Sequence, residues 1–539
     1  MKDDTLVEWR EWGAAPFEEA ARASKPLLLA LSASWCTACD EMDRGAYADP
    51  KLAAHLKDGF VPVRVDVDEQ PRVRERYNMG GFPSTVFATP DGKLLTGAGF
   101  MSSDGLRQAL DTVRRTWDGK GAEAGRVPRA LQDPDPPQGP VTADIEAHFV
   151  EQVAAAFDEE FGGWGDGAKF PLPNTIEFAA KRDRDRARRT LEAVQTHLYD
   201  TYGGGFYRYA TNRNWGGELH REKLLDENAA LVGAFATGYL YTGEESYRET
   251  AAGTIDYLTT DLWTGDAFAG SQAGGDYFTL EPSDREAADA PRIDETVYAD
   301  RNGLAAAALF RFGAYTDDGD ATRYAERALE HVLDTLVDDG VVAHYAGDDS
   351  ETGLLLDHAR VLAGLTAGAQ ATGDYLEAAR AVADRALDLQ ADDGAFLDGP
   401  AEGPGMLDRP LRPLDTNVEL ADALLDLAAL TGDTTYRAAA GEALEAFAGA
   451  YDRMGAQVTG YGAACARYVY DPLVIETPPP NTDLHRAAWR VADHEKVVVP
   501  GDRDDAVVVR GGERSAPAAT PDELMDRAAD GGPSTRADE

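Results

Sequence analysis

A chain of 539 residues and 57.9 kDa exceeds what one ordinary hydrophobic core organises, so two domains are expected. With 96 acidic against 52 basic residues and a formal net charge of −44, the protein lacks the basic surface that displaces counterions from a phosphate backbone, which excludes nucleic acid as a partner. The acids are spread along the whole chain and Arg far outnumbers Lys, the habit of salt-in halophiles, whose high internal salt screens the self-repulsion of so charged a compact state.

The opening residues MKDDTLVEWREW contain no apolar signal segment, and nowhere do about 18 apolar residues follow one another, so a cytoplasmic protein with no membrane partner is expected. Three cysteines cannot staple a chain of this size. Cys36 and Cys39 are therefore expected in a reducing compartment, where such a pair is catalytic, metal-binding or incidental.

From Pro16 to Trp117 short strands and helices alternate. KPLLLALSA, VPVRVDV (61–67) and STVFAT (84–89) are strand candidates, a fourth strand follows the Asp91-Gly92 turn, and SSDGLRQALDTVRRTW reads as a closing helix. Residues 1–120 are taken as the first domain, and the Pro- and Gly-rich stretch 121–141 as a linker. Trp35-Cys36-Thr37-Ala38-Cys39 between a strand and a helix, with Pro83 just ahead of a later strand, resembles thioredoxin. The resemblance implies a cis Pro83 lying against the cysteines. A thiol at a helix N-terminus is stabilised as the thiolate that attacks disulfides, which makes Cys36 the attacking and Cys39 the resolving sulfur. Where many thioredoxins bury a carboxylate, this chain has Ala30. A zinc site needs a second ligand pair, and Cys465 stands alone, so neither metal nor cofactor is expected.

Beyond residue 142 a helical repeat takes over. YTGEESYRETAAGTIDYL (241–258) recurs in outline three more times, and Gly163, Gly204, Gly265, Gly340, Gly394 and Gly455 mark six turns, each following a helix. Six hairpins with Ala/Leu-rich helices inside predict an (α/α)6 barrel over 142–490. Uneven repeat lengths and long Gly-rich insertions weigh against an open solenoid. Residues 491–539 are expected to form a C-terminal segment with a partly disordered tail.

The starts of the inner helices should converge on one funnel. They offer His220, Glu222, Lys223 and His358 as candidate catalytic groups, and Glu227, Arg301, Asn302, Asp357 and Asn417 as candidate binding groups. Trp164, Phe206, Tyr207 and Trp215 from the Gly-rich loops would supply stacking faces for a polyhydroxylated ring. Helix starts also attract Asp and Asn simply as caps.

The segments FDEEFGGWGDGAKFP (157–171) and YGGGFYRYATNRNWGGELHREKLLDENA (202–229), together with VRVDVDEQP and GGFPSTVFATPDGK, resemble the spermatogenesis-associated, thioredoxin-containing family with a six-hairpin glycosidase-like domain. The chain looks like a divergent, haloarchaeal-type member. The family's C-H-W-C-H is Cys36-Thr37-Ala38-Cys39-Asp40 here, its S-Q-D-A-D-S segment loses its acids at Ser271-Gln272-Ala273-Gly274-Gly275, and its W-N-G appears as Arg301-Asn302-Gly303. Related barrels include glycoside hydrolases with paired carboxylates and sugar epimerases with paired histidines. Three readings follow. One is thiol–disulfide exchange with a protein partner. The second is a sugar epimerase, isomerase or glycosidase acting on a small sugar, with proton transfer between His220 and His358 its most specific form. The third is a non-enzymatic interaction scaffold.

Overall fold

The structure is a computed structural model that describes residues 5–132, 135–493 and 495–529. The chain divides into two compact units. The first comprises Met1–Asp135 with two segments from later in the chain, Ser271–Asp294 and Leu397–Arg412; the second holds the rest.

In the first unit α1 (Ala14–Ala23) leads into β1 (Leu27–Ser32), followed by α2 (Thr37–Arg44), α3 (Pro50–Gly59), β2 (Val61–Asp66), α4 (Pro71–Tyr77), β3 (Ser84–Ala88), β4 (Leu94–Ala98) and α5 (Ser103–Lys120). The sheet runs β2-β1-β3-β4, with β1 parallel to β2 and antiparallel to β3. The central strand β1 is buried along its entire length, as its unbroken apolar run requires of a strand covered on both faces. This is the thioredoxin-like arrangement. The Leu397–Arg412 segment is anchored to α4. Arg76 pairs with Asp398 at 2.7 Å, Arg72 donates to the Pro400 and Leu407 carbonyls at 2.8 Å, and the Tyr77 hydroxyl lies 2.7 Å from the Gly405 carbonyl.

The second unit contains the six helical hairpins. The inner helices are Pro173–Arg182, Leu225–Thr242, Ala299–Thr316, Leu355–Thr372, Leu414–Thr431 and Thr459–Tyr470. Each packs on the next and the sixth returns to the first, so the ring is closed: an (α/α)6 barrel. The outer helices, Ala143–Ala156, Arg184–His197, Glu245–Thr260, Gly319–Leu336, Leu376–Leu387 and Thr434–Phe447, precede or follow them in strict alternation. Small residues set the spacing inside. A Cβ on Gly303 would stand 2.5 Å from the Arg360 carbonyl oxygen, and one on Gly364 2.8 Å from that of Gly303, so the third and fourth inner helices cross at backbone distance.

After the sixth inner helix a four-stranded sheet forms in the order 496–500, 473–477, 507–510, 513–514, flanked by helices Asp483–Trp489 and Pro521–Ala529. Its core of Leu473, Ile475, Leu484, Trp489 and Val508 packs on Ala314, Tyr315 and Ala371, at the C-terminal ends of the third and fourth inner helices. An ordered layer thus starts well before residue 491. Residues 530–539, the end of the segment 491–539 that was expected to carry a partly disordered tail, lie outside those described. Among the described residues no helix is long and apolar enough to cross a membrane.

Candidate functional site

Two groups of chemistry-bearing residues stand out, one in each unit. In the first unit Cys36 and Cys39 are joined as a disulfide. Cys36 caps α2, its Sγ accepting the Cys39 N–H at 3.1 Å, which aims the partial positive charge of the helix N-terminus at the sulfur. The Phe82–Pro83 peptide bond is cis. The loop before it is held by the Asn78 side-chain oxygen, which accepts from Gly80 and Gly81 N–H at 2.8 Å, and the Phe82 ring meets Trp35 edge-on at 6.2 Å. Trp35 Nε1 donates to Asp68 at 2.8 Å, fixing the residue just before Cys36.

Sequence reading did not anticipate the cover. Cys36 and Cys39 are each only 3% exposed. The Ser271–Asp294 segment fastens over the same turn: Arg292 donates from Nε to the Ser34 carbonyl at 2.7 Å and spans the Asp40 carboxylate at 3.1 and 3.3 Å, while Ser34 Oγ donates to Asp294 at 3.0 Å. Asp40 stands where the resembled family has a histidine, and it serves here as the anchor for that clasp.

In the second unit the structure sorts the expected site residues by what already occupies them. Asn302 and Asn417, expected to bind substrate, are committed to the backbone. Asn302 accepts from Phe268 N–H at 2.9 Å and donates to the Phe268 and Tyr298 carbonyls at 3.0 and 2.9 Å; Asn417 does the same with Phe396 and Pro413 at 2.6, 2.9 and 2.8 Å. Asn228 makes the identical set with Phe206 and Leu224. Each is the fourth residue of an inner helix, stitching that helix to the turn of its own hairpin and leaving no amide hydrogen for a ligand. His358 is the fourth residue of the fourth inner helix. Its Nδ1 lies 2.8 Å from the Leu354 carbonyl, as the Asn amides lie against theirs, and its Nε2 is buried without a hydrogen-bond partner. Burial pushes its pKa down, which keeps it neutral.

Lys223, expected to be catalytic, is 1% exposed and ties Asp200 at 2.9 Å to the Gly204 carbonyl at 2.6 Å. Lys169 repeats this arrangement one hairpin earlier with Asp158 at 2.9 Å and the Gly165 carbonyl at 2.8 Å. Both are turn braces. The expected stacking residues are also buried. Trp164 and Trp215 are buried and donate to the Val153 and Phe161 carbonyls, Phe206 stacks on Phe235, and Tyr207 is 7% exposed. Arg301 lies over the Tyr298 ring and donates to the Gly270 carbonyl at 3.1 Å. Asp357 Oδ1 lies 2.8 Å from His344 Nδ1.

What remains at the barrel mouth is a smaller cluster. Tyr209 and His220 are cross-strand partners, and their rings stack at 4.0 Å with Phe170 continuing the stack at 4.4 Å; Phe170 is 45% exposed. His220 Nδ1 lies 3.8 Å from Glu222, and Arg208 donates to Glu227 at 3.1 Å. The two acids diverge. Withdrawal from water, reinforced by Asp226 and Glu222 and opposed by Arg208, raises Glu227. At Glu222 burial also pulls upward, but the His220 contact and Arg208 outweigh it and its carboxyl is lowered.

Below the mouth a cavity of about 270 Å³ runs among the inner helices. Its walls carry three arginines bracketed by acids: Arg360 with Glu419 at 2.9 and 3.2 Å and Asp300 at 3.0 Å, Arg311 with Glu177 at 2.9 Å, and Arg467 with Asp422 at 2.7 Å and with Asp426. Trp489, Glu495 and Lys496 from the C-terminal layer also line it. None of these residues was singled out from sequence. The available signal was a lone charge inside an apolar run, as in LAAAALFRFGAY and LADALLDLAAL.

Residues 1–132 match the family model Thioredox_DsbH, described as a protein of unknown function, DUF255. Over 329 residues the chain is 28% identical to spermatogenesis-associated protein 20 of Homo sapiens, covering 54% of this chain and 41% of that protein, so the match spans less than half of the relative's length. Over 82 residues it is 35% identical to thiol:disulfide interchange protein DsbD 1 of Pseudomonas aeruginosa, 14% of each chain. Among solved structures, a sugar epimerase from a ruminal bacterium is similar with a TM-score of 0.46 at 12% identity, covering 56% of this chain and 85% of the other.

Proposed function

We propose that the protein is a thiol–disulfide oxidoreductase acting through Cys36 and Cys39 on a disulfide-bearing protein partner. In the reduced state the Cys36 thiolate attacks a partner disulfide and releases one partner thiolate. Cys39 then attacks the mixed disulfide at the Cys36 sulfur, releasing the second and regenerating the Cys36–Cys39 bond, so two electrons pass to the partner. The observation that carries this reading is the Cys36 sulfur seated at the N-terminus of α2, facing the Cys39 amide. The composition leads us to propose that exchange operates in high salt in a cytoplasmic setting. The test is reduction of insulin or glutathione disulfide in molar salt by the wild type and Cys36→Ser. Loss of turnover in the variant is expected, and equal rates would refute the assignment.

A second reading rests on the mouth cluster. The stacked Phe170, Tyr209 and His220 rings beside two acids with opposite shifts suit a sugar ring, with Glu227 the acid and Glu222 the base. His220 would orient Glu222. A panel of aldoses and disaccharides assayed with the wild type and Glu222→Gln tests it. Turnover lost in the variant supports the reading, and a panel without binding or turnover ends it, leaving the barrel as an interaction scaffold.

A further inference from the structure

We infer that Asp300, His344 and Asp357 form a binding site for a divalent transition-metal ion. Asp300 is the second residue of the third inner helix, Asp357 the third residue of the fourth, and His344 lies in the loop that follows strand Val341–Val342. They are 3%, 0% and 2% exposed, and one ligand-type atom from each stands within 4.8 Å of the others. The loop is pinned where it passes the helix, the Ala299 N–H donating to the His344 carbonyl at 2.9 Å, and the Tyr298 ring backs the imidazole at 5.2 Å.

The hydrogen bonds leave this cluster incomplete in a specific way. His344 Nδ1 is 2.8 Å from Asp357 Oδ1, and Asp300 Oδ2 accepts from Arg360 at 3.0 Å. The other oxygens, Asp300 Oδ1 and Asp357 Oδ2, are buried without any hydrogen-bond partner. Native interiors rarely leave such atoms bare, and each calls for an ion, a proton or a water. Arg360 supplies little compensation, because its guanidinium is shared with Glu419 at 2.9 Å and lies 3.9 Å from Asp226. Two buried carboxylates short of positive charge match a divalent cation in number.

The donor set narrows the ion. Two carboxylates and one imidazole suit zinc, manganese or ferrous iron, whereas calcium asks for six or more oxygens. Metal bonds of about 2.1 Å keep ligand atoms roughly 3 to 4.3 Å from one another, so on loading the longest separation contracts slightly and the Nδ1–Oδ1 pair at 2.8 Å opens slightly. The ion takes the place of the proton between Nδ1 and Oδ1, and the imidazole coordinates as the neutral base. The triad is buried and does not line the barrel cavity, so the ion would be acquired as the chain folds and would act on stability. From sequence only Asp357 was singled out, as a sugar-binding group, since the ligands come from three separate segments with no shared spacing.

The test is the metal content of tag-free full-length protein purified from medium supplemented with zinc, manganese and iron, measured by elemental analysis. About one ion per chain is expected, retained in a Cys36→Ser, Cys39→Ser double variant and lost in Asp357→Asn and, should that variant not fold, in His344→Gln. The wild type is also refolded from urea with each ion or with EDTA, and melting at a higher temperature with one of the ions is expected. Metal below about a tenth of an equivalent, with identical melting under all refolding conditions, would overturn the proposal and assign the pair a shared proton instead.

Discussion

Replacing Arg292 with alanine should expose the disulfide. The Arg292 guanidinium holds the Ser34 carbonyl at 2.7 Å and Asp40 at 3.1 and 3.3 Å, with 42% of its own side chain and 19% of the aspartate exposed. A half-exposed ion pair contributes about 0.5 kcal/mol, and a charge-assisted bond to a carbonyl about 1 kcal/mol, so the clasp is worth ~1–2 kcal/mol. If dithiothreitol reaches Cys36 only when this cover lifts, Arg292→Ala should speed reduction by about 5- to 30-fold. Salt sharpens the test: at 1 M the screening length falls to about 3 Å, so the wild-type rate should rise with salt while the variant's changes little. The assay is stopped-flow reduction followed by trapping of the released thiols. Rates that agree within about twofold at low salt would refute the idea that this clasp limits access.

Asn302→Ala removes three interior hydrogen bonds and orphans the Phe268 amide and carbonyl, and should cost about 2–4 kcal/mol in urea unfolding. Lys223→Met leaves Asp200, 3% exposed, as an uncompensated buried charge, for a loss of about 3–5 kcal/mol by the same measurement; a purely catalytic lysine would leave stability unchanged. Burial pushes the Cys465 thiol up to about 12, so a maleimide at neutral pH should label it only in denaturant, as read by intact mass. Burial alone would raise the Asp158 carboxyl, but Lys169, Arg213 and two backbone N–H groups outweigh it and hold it below the usual carboxylate range. A carboxyl depressed in the folded state stabilises above its unfolded pKa of about 3.9 and loses that contribution as pH falls toward the folded value. Thermal melts in matched salt should therefore fall more steeply below about pH 4 for the wild type than for Asp158→Asn, and parallel curves would contradict the assignment.

At the inner-helix starts, residue type alone left ligand-binding and scaffold roles open. Asn302, Asn417, His358 and Lys223 are polar residues near inner-helix starts, and a funnel of ligand-binding groups was a fair expectation for them. The structure instead gives Asn302 and Asn417 the same carbonyl and amide partners as Asn228, and Lys223 the same brace as Lys169. The repetition was legible in sequence as an Asn recurring at a fixed place in the hairpins, which is the mark of a structural stitch. Glu222, Glu227 and His220 escape it, and they remain the polar groups of the mouth that a ligand could meet.

Local order carried the rest. The W-C-x-x-C turn, the proline before β3 and the helix-turn-helix period are properties of neighbouring residues, and spacing along the chain is enough to specify a strand, a capped helix or a hairpin. Which charges meet across the barrel axis, that Arg292 bridges Ser34 and Asp40, and that Asp300, His344 and Asp357 converge depend on pairings between distant segments. Such pairings carry no periodic trace, because a salt bridge or a clasp constrains two side chains in space and nothing in the residues between them.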